Sequence, residues 1–367
     1  MIDDRIIKYA NFLIKDAVGI EKDDKILIEV HGDGIELAKE LVKVAFECGA
    51  KPFFKYYDYE MESILIKNSD LNHYGNIASL DLSLMKNMDA YIDIRGTKNI
   101  YHWNHLTQDE IKKYNEMYWG PIHLKERCNN TKWTVIRYPN DAMAQLSQMD
   151  TKSYEDYYFK ACLYDYKLMK RNMKPLVELM EKTDKVRIVA NQTDLTFSIK
   201  GIPVVPMHGN RNIPDGEVYT APVRDSINGT ILYNVESPMD GLVFRDVKFT
   251  FKDGKIIDAT SNHTKRLNQI LDTDEGARYI GEFAIGVHPH ITKPIGDILF
   301  DEKMTGSFHL TPGNAYDNAD NGNKSSIHWD LVQLQTPEYG GGEIYFDDVL
   351  IRKDGLFVID ELKILNP

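Results

Sequence analysis

The chain has 367 residues, 43% of them hydrophobic, and carries a formal net charge of -12 with an isoelectric point near 5.4. This length supports a substantial core and favours two domains over one. Because the chain is acidic and has no basic run, it offers no footprint for a phosphate backbone, which excludes nucleic acid as a partner. No apolar stretch approaches the ~20 residues that a membrane span requires, so we expect no membrane association.

The three cysteines give no sign of disulfides or of a cysteine zinc site, because their number is odd and no CxxC pair occurs. The N-terminal segment "MIDDRIIKYANFLIKDAV" is charged in its first turns and lacks the apolar core of a secretory signal. We therefore expect a cytoplasmic protein.

The first half of the chain alternates strand patterns with helix patterns. In chain order the patterns predict a helix at 4–18, a strand at 25–30, a helix ending at Gly49, strands near 51–58, 89–96 and 133–139, and a long polar helix from Ser153 to Lys182. A strand, a helix and a second strand in this order predict a parallel sheet with helices on its faces. The "HGDG" after the first strand matches neither glycine fingerprint of a phosphate loop and is interpreted as an ordinary turn.

The second half has short alternating segments instead of helical periodicity. In "VKFTFKDGKIIDAT" a DG turn separates two strand-like runs and predicts a hairpin, and one short helix is predicted near Lys265 to Asp272. The predicted fold class is an α/β N-terminal domain with a largely parallel sheet, residues 1–185. It is followed by a mostly β (α+β) C-terminal metal-binding domain, residues 186–367.

Acids and histidines in apolar surroundings are concentrated in this second half. Glu217 and Glu282 each follow a glycine, His309 lies in "GSFHLTPG", and "SSIHWDLV" holds His328 and Asp330. In a strand, His328 and Asp330 would share one face, opposite the neighbouring tryptophan. A buried carboxylate is costly unless it is paired or binds a metal. If these five side chains converge, they suit a divalent metal site.

The number of candidate ligands indicates how many ions such a site could hold. Five side chains, one of them bridging, can serve two ions, which together activate a water and polarise a carbonyl, the chemistry of amide hydrolysis. His309, His328 and Asp330 alone form the two-histidine, one-carboxylate set of non-haem iron oxygenases. Taken singly, a histidine in an apolar run is more often a satisfied core histidine than a ligand, and a glutamate after a glycine suits the surface of an edge strand. His288 and His290 lie near Glu282 in "VHPHI", where a proline interrupts the strand pattern.

Four segments together resemble a known family. "NIPDGEVYTAP", "LDTDEGARYIGEFAIG", "ILFDEKMTGSFHLTPGNAY" and "NKSSIHWDLV" are similar to the thermophilic aminopeptidase family of metallopeptidases, of the aminopeptidase T/S type. The resemblance covers nearly the whole chain and is strongest in residues 205–332. It implies the following site residues: metal ligands Glu217, Glu282 (bridging), His309, His328 and Asp330, an active-site tyrosine at Tyr316, and an acid near the site at Glu302.

The same resemblance implies a two-domain fold with two divalent ions in the C-terminal domain, zinc or cobalt, with manganese or magnesium as alternatives. It also implies a homodimer that acts on peptides with a free N-terminus. Thr311, Pro312 and His288 depart from the family pattern, which leaves the substrate preference open. Two alternatives stay open: a ring-cleaving dioxygenase of the same fold with a single iron, and a non-catalytic binding protein.

Overall fold

The computed structural model describes residues 3–239 and 241–367, which group into two compact units. The first unit runs to Tyr164 and includes Gly209–Pro214, and the second comprises Asp165–His208 and Asp215–Pro367. The second unit therefore begins about twenty residues before the predicted boundary at residue 185. The reason is that the helix Tyr166–Met180 packs against strands of the second unit. The boundary at 185 between folding domains stays a prediction.

The described residues form strands and helices with the following bounds. The strands are β1 Lys25–Gly32, β2 Lys51–Tyr57, β3 Ala90–Gly96, β4 Lys132–Arg137, β5 Lys185–Ala190, β6 Thr193–Ser198, β7 Val205–Met207, β8 Asn212–Ile213, β9 Glu217–Thr220, β10 Asn228–Leu232, β11 Ser237–Met239, β12 Leu242–Phe244, β13 Lys248–Lys252, β14 Lys255–Thr260, β15 Ile280–Gly286, β16 Ser307–Pro312, β17 Leu331–Leu334, β18 Glu343–Phe346, β19 Val349–Lys353 and β20 Leu356–Phe357. The α-helices are α1 Asp4–Phe12, α2 Ile35–Glu47, α3 Tyr59–Asn68, α4 Leu71–Met85, α5 Gln108–Tyr114, α6 Cys128–Asn130, α7 Asp141–Leu146, α8 Thr151–Cys162, α9 Tyr166–Met180, α10 Thr264–Leu271 and α11 Ile298–Asp301, with π-helical segments at Leu13–Ala17 and Asn115–Arg127.

The first unit is built on a parallel five-stranded sheet in the order β2-β1-β3-β4-β8. Its central strands β1 and β3 are buried, as expected of parallel strands covered by helices. Leu27 and Tyr91 pack into a core together with residues of α3, α4 and the π-helical segment. Strand β2 lies at the edge and is largely exposed, which suits its Lys51, Pro52 and Lys55.

The predicted elements of the first half are confirmed, with one correction. The four strands and the helix after β1 are present at the predicted places. The prediction of a single helix from Ser153 to Lys182 is wrong, because α8 ends at Cys162 and α9 begins at Tyr166. The side chain of Asp165 accepts the backbone N–H of Leu168 at 2.9 Å, and this N-cap starts a new helix.

The second unit is mostly β, as predicted. Its larger sheet is antiparallel, with eight strands in the order β14-β13-β10-β6-β5-β18-β19-β20. The predicted hairpin joins β13 to β14, and its two turn residues, Asp253 and Gly254, have φ of 49° and 79°, as a type I′ turn requires. A second antiparallel sheet runs β17-β16-β15-β9-β7 and carries most of the candidate site. None of the helices in the described parts of the chain is long and apolar enough to cross a membrane.

Candidate metal centre

The five-stranded antiparallel sheet brings three of the predicted site residues together. Glu217 begins β9, Glu282 lies in β15 and His309 in β16, three adjacent strands that are buried along their length. The Nε2 atom of His309 lies 2.9 Å from Oε1 of Glu282 and 3.6 Å from Oε2 of Glu217. All three side chains are almost fully buried, so two carboxylates and an imidazole meet away from water.

The stretch "SSIHWDLV" joins this cluster, although its strand begins later than the pattern predicts. Only from Leu331 onward does the chain pair as β17, and His328 forms an isolated bridge before it. His328 and Asp330 nevertheless face each other, with 3.3 Å between Nε2 and Oδ1. Trp329 turns to the other side, where its indole N–H donates to Ser237 at 2.9 Å. The expected division of polar and apolar side chains is therefore present without the full strand.

Close backbone packing fixes the orientation of the His328 ring. Gly313 has φ of +111°, and a Cβ there would lie 2.1 Å from the carbonyl oxygen of Ile327, so only glycine fits. The Nδ1 atom of His328 is 2.9 Å from the carbonyl oxygen of Asn314. Because a carbonyl oxygen only accepts, Nδ1 carries the hydrogen, and in the neutral ring the lone pair lies on Nε2, towards Asp330.

Within the described residues, two groups of three side chains have ligand atoms that all lie within 4.8 Å of one another. These groups are Glu217, Glu282 and His309, and Glu302, His309 and Asp330. His309 belongs to both groups. His328 belongs to neither, but its Nε2 lies 3.7 Å from Oε2 of Glu282. The five predicted ligands and Glu302 therefore form one continuous cluster.

The donor atoms of this cluster fit a divalent metal ion. Among the described residues, Oε2 of Glu217, Oε2 of Glu282 and Nδ1 of His309 are buried and have no hydrogen-bond partner. Buried polar atoms are normally satisfied, so each of these needs an explanation. Carboxylate oxygens and imidazole nitrogens are the donors that zinc, cobalt and manganese take in proteins.

Lys303 is a member of the cluster that the sequence analysis did not single out. Its buried Nζ atom lies 2.5 Å from Glu217, 2.8 Å from Glu302 and 3.8 Å from Asp215. Burial would lower the pKa of Lys303, but Glu217 and Glu302 outweigh this and raise it. Burial also raises the pKa of Glu302 well above its usual range, against the effect of Lys303. The ammonium group thus supplies positive charge to one end of an acidic cluster.

Without a metal, the imidazoles supply positive charge to the rest of the cluster. Burial opposes protonation of both histidines, but neighbouring carboxylates outweigh it. The pKa rises to about 9 for His309, beside Glu282 and Glu217, and to about 10 for His328, beside Asp330. Burial raises the pKa of Glu282, whereas His328 holds the pKa of Asp330 below its usual range despite burial. A metal ion would therefore replace protons on the two rings.

The remaining predicted residues lie around this cluster. The ring of Tyr316 is 4.6 Å from that of His328 between centroids and is 47% exposed, so it borders the cluster on the solvent side. His288 is fully buried, and its Nδ1 accepts the backbone N–H of His290 at 3.1 Å. Neither His288 nor His290 belongs to the two groups of three described above.

An antiparallel sheet that holds a buried cluster of carboxylates and imidazoles defines a candidate metal centre. The family described as thermophilic metalloprotease (M29) matches residues 2–342, and the chain belongs to this family. The resemblance inferred from the sequence, and with it the class of enzyme, is confirmed. A metalloprotease family implies a divalent metal, which agrees with the donor set.

Curated relatives match the chain over most of its length. Aminopeptidase 2 of Geobacillus stearothermophilus is 24% identical, with 95% of this chain and 94% of the relative covered. Aminopeptidase AmpS of Bacillus subtilis is 23% identical, with 89% and 88% covered.

Two solved structures share the fold. Wild-type AmpT from Thermus thermophilus superposes with a TM-score of 0.82 at 18% identity, covering 97% of this chain and 99% of that one. The 2,5-dihydroxypyridine dioxygenase from Pseudomonas putida KT2440 gives a TM-score of 0.61 at 12% identity, with 99% of both chains covered. These likenesses confirm the predicted fold class.

Proposed function

We propose that this chain is a metal-dependent aminopeptidase that removes N-terminal residues from peptides. The observation that carries the proposal is the buried cluster of Glu217, Glu282 and His309, faced by His328 and Asp330, with donor atoms that no described residue satisfies. Membership of the metalloprotease family and the names of the relatives, all aminopeptidases, support it. From the family resemblance we further propose a cytoplasmic homodimer.

The proposed cofactor is a pair of divalent ions, zinc or cobalt, with manganese or magnesium as alternatives. Glu217, Glu282, His309, His328 and Asp330 would hold them. The presence of five candidate ligands in one cluster, more than the three that a single catalytic ion typically takes, supports a site for both. When bound, the ions would lower the pKa of a water molecule and polarise the scissile carbonyl.

The chain's own residues would supply the proton transfers and the oxyanion contact. Glu302 would accept the proton of the water and pass it to the leaving amine, and its contact with the Lys303 ammonium at 2.8 Å favours the ionised form that this role needs. The hydroxyl of Tyr316 would donate a hydrogen bond to the oxyanion that forms at the carbonyl. The free α-amine of the peptide would meet the acidic cluster, which restricts cleavage to the first residue.

A second candidate function is a ring-cleaving dioxygenase with one iron. His309, His328 and Asp330 supply the two-histidine, one-carboxylate set, and the fold likeness to a dioxygenase agrees. Lys303 favours this alternative over a two-metal site, because its ammonium already pairs with Glu217 and Glu302. A binding protein without turnover is the third alternative, and it predicts metal or peptide binding with no product.

Chelation and elemental analysis together test the proposal. The aminopeptidase should hydrolyse leucine p-nitroanilide, lose this activity with a chelator and recover it with added zinc or cobalt. The purified chain should contain two zinc-like ions rather than one iron. An activity that resists exhaustive chelation contradicts the proposal, and one iron per chain supports the dioxygenase instead.

A further inference from the structure

The segment 313–330 joins β16 to β17 and carries three of the proposed site residues, Tyr316, His328 and Asp330. All of its residues are described, and its regular structure is limited to one short 3-10 turn and one isolated bridge. Functional side chains on such a segment depend on the scaffold that holds it. The hydrogen bonds between the segment and its neighbours therefore set the positions of these three side chains.

A short turn just before β15 supplies much of this scaffold. The side chain of Asp274 caps the 3-10 turn Glu275–Arg278 and accepts the backbone N–H of Ala277 at 2.9 Å. Strand β15 begins two residues after this turn and carries Glu282. The turn is therefore fixed to the strand that holds one of the proposed metal ligands.

The carboxylate of Asp274 also binds two serines of the segment. Its Oδ1 accepts the hydroxyl of Ser325 at 2.7 Å, and its Oδ2 accepts the N–H and the hydroxyl of Ser326 at 2.7 and 2.8 Å. The Ser325 hydroxyl oxygen in turn accepts the N–H of Ile327 at 3.2 Å. Hydrogen bonds to an ionised carboxylate are stronger than those between neutral groups. Asp274 therefore joins the turn firmly to the segment.

A second contact between the turn and the segment is made by Asn323, whose side chain is buried. Its amide donates to the carbonyl oxygens of Gly276 at 2.9 Å and Gly313 at 2.6 Å, and its Oδ1 accepts from Nε of Arg224 at 3.1 Å. A Cβ at Gly276 would lie 2.0 Å from the carbonyl oxygen of Lys324, so the two backbones touch directly. The turn and the segment thus pack as one body.

These contacts end next to His328. Only Ile327 separates it from Ser326, and two residues of chain span no more than ~7 Å, so the serine leaves the histidine little freedom. The carbonyl oxygen of Ile327 accepts the N–H of Asn314 at 2.7 Å, and the Asn314 carbonyl lies 2.9 Å from Nδ1 of His328. The Nε2 atom of His328 lies 3.7 Å from Oε2 of Glu282.

We propose that Asp274 is a positioning residue of the candidate metal centre. Through Ser325 and Ser326 it holds His328 at its distance from Glu282, on the neighbouring strand. Partners that orient metal ligands in this way typically change metal affinity about 10–100-fold when they are lost. The inference rests on the metal site of the proposed function and not on turnover of a peptide.

Zinc affinity of the full chain, measured by competition with a chromophoric chelator, tests this role without any substrate. Asp274→Ala should weaken zinc binding roughly tenfold or more. Asp274→Asn should weaken it less, because the amide keeps one acceptor oxygen. Asp272→Ala is the matched control, since this aspartate pairs with Arg278 at 2.7 Å but is 60% exposed, and it should leave the affinity within about twofold.

A double substitution separates positioning from a general loosening of the fold. In a His328→Ala background the ligand that Asp274 positions is missing. Adding Asp274→Ala there should change the remaining zinc affinity by less than about twofold, since the two residues act as one unit. If the two losses add instead, Asp274 does not act through His328 and the proposal is overturned.

Two further outcomes overturn the proposal: equal zinc affinities of Asp274→Ala and Asp272→Ala, and the absence of zinc binding by the natural chain. A chain that binds zinc and shows the expected cycle, but hydrolyses no leucine p-nitroanilide, would contradict the proposed function and support this inference. If Asp274→Ala fails to fold, Ser326→Ala serves in its place. It removes a single hydroxyl from the Asp274 carboxylate and should weaken zinc binding severalfold.

Discussion

Replacement of Lys303 by methionine removes a buried positive charge from the acidic cluster while keeping a side chain of similar length. The ammonium lies 2.5 Å from Glu217, 2.8 Å from Glu302 and 3.8 Å from Asp215, and the side chain is 3% exposed. Removing one partner of a buried ion pair leaves an uncompensated charge and costs about 3–5 kcal/mol. In metal-free protein, Lys303→Met should lower the free energy of unfolding by that amount.

Bound metal should offset much of this loss, because it brings positive charge to the same carboxylates and stabilises the folded state by mass action. Urea unfolding, measured once in the presence of a chelator and once with excess zinc, gives the size of both effects. The variant should gain more from zinc than the natural chain does. Lys324→Met is the matched control, since its ammonium pairs with Asp317 at 3.1 Å but is 54% exposed, and its loss should cost no more than ~1 kcal/mol.

Equal destabilisation by Lys303→Met and Lys324→Met in metal-free protein would refute this reasoning, because burial would then make no difference to the ion pair. A variant that loses stability but gains nothing extra from zinc would show that Lys303 and the metal do not share carboxylates.

Three further predictions follow from the same structure. Glu282→Gln should reduce kcat/KM for leucine p-nitroanilide ~100-fold or more, whereas His290→Ala, outside the cluster, should change it little. Similar losses in both variants would count against Glu282 as a metal ligand. Tyr316→Phe should lower kcat about 100-fold with unchanged zinc content, and a change in zinc content alone would show that the tyrosine acts in metal binding instead. Burial and the neighbouring Arg127 lower the pKa of His123 from 6.5 to about 3, so between these values only the unfolded state gains a proton. The free energy of unfolding should therefore fall by roughly 1.4 kcal/mol per pH unit as the pH drops through this range. If the His123→Gln variant shows the same pH dependence as the natural chain, this reasoning is contradicted.

The sequence predicts those parts of the candidate centre that sit inside apolar runs. Glu217, Glu282 and His309 stand out because each has apolar neighbours in sequence, and each lies in a strand that is buried along its length. Lys303 does not stand out, since "FDEKM" resembles a solvated turn and a lysine there is ordinary. Its burial, like that of Phe300 and Glu302 beside it, is a property of the tertiary fold that spacing along the chain does not encode.

The buried acids of the first unit's sheet carry a weak signal of the same kind. Glu29 in "ILIEV" and Asp93 in "YIDIR" are acids within central strands, yet their meeting depends on strand order. Pairing of β1 with both β2 and β3 is a tertiary property, so the sequence predicts the strands and not which side chains meet across them. The sequence does mark the break between α8 and α9, because Asp165 is a residue type that commonly starts helices.

Titration of the metal-free enzyme with zinc or cobalt, with turnover of leucine p-nitroanilide followed at each addition, tests the central proposal most directly. The proposed two-ion aminopeptidase predicts no turnover without metal and a rise that ends at two equivalents per chain. Turnover in the metal-free chain, or no turnover at any metal content, would contradict it.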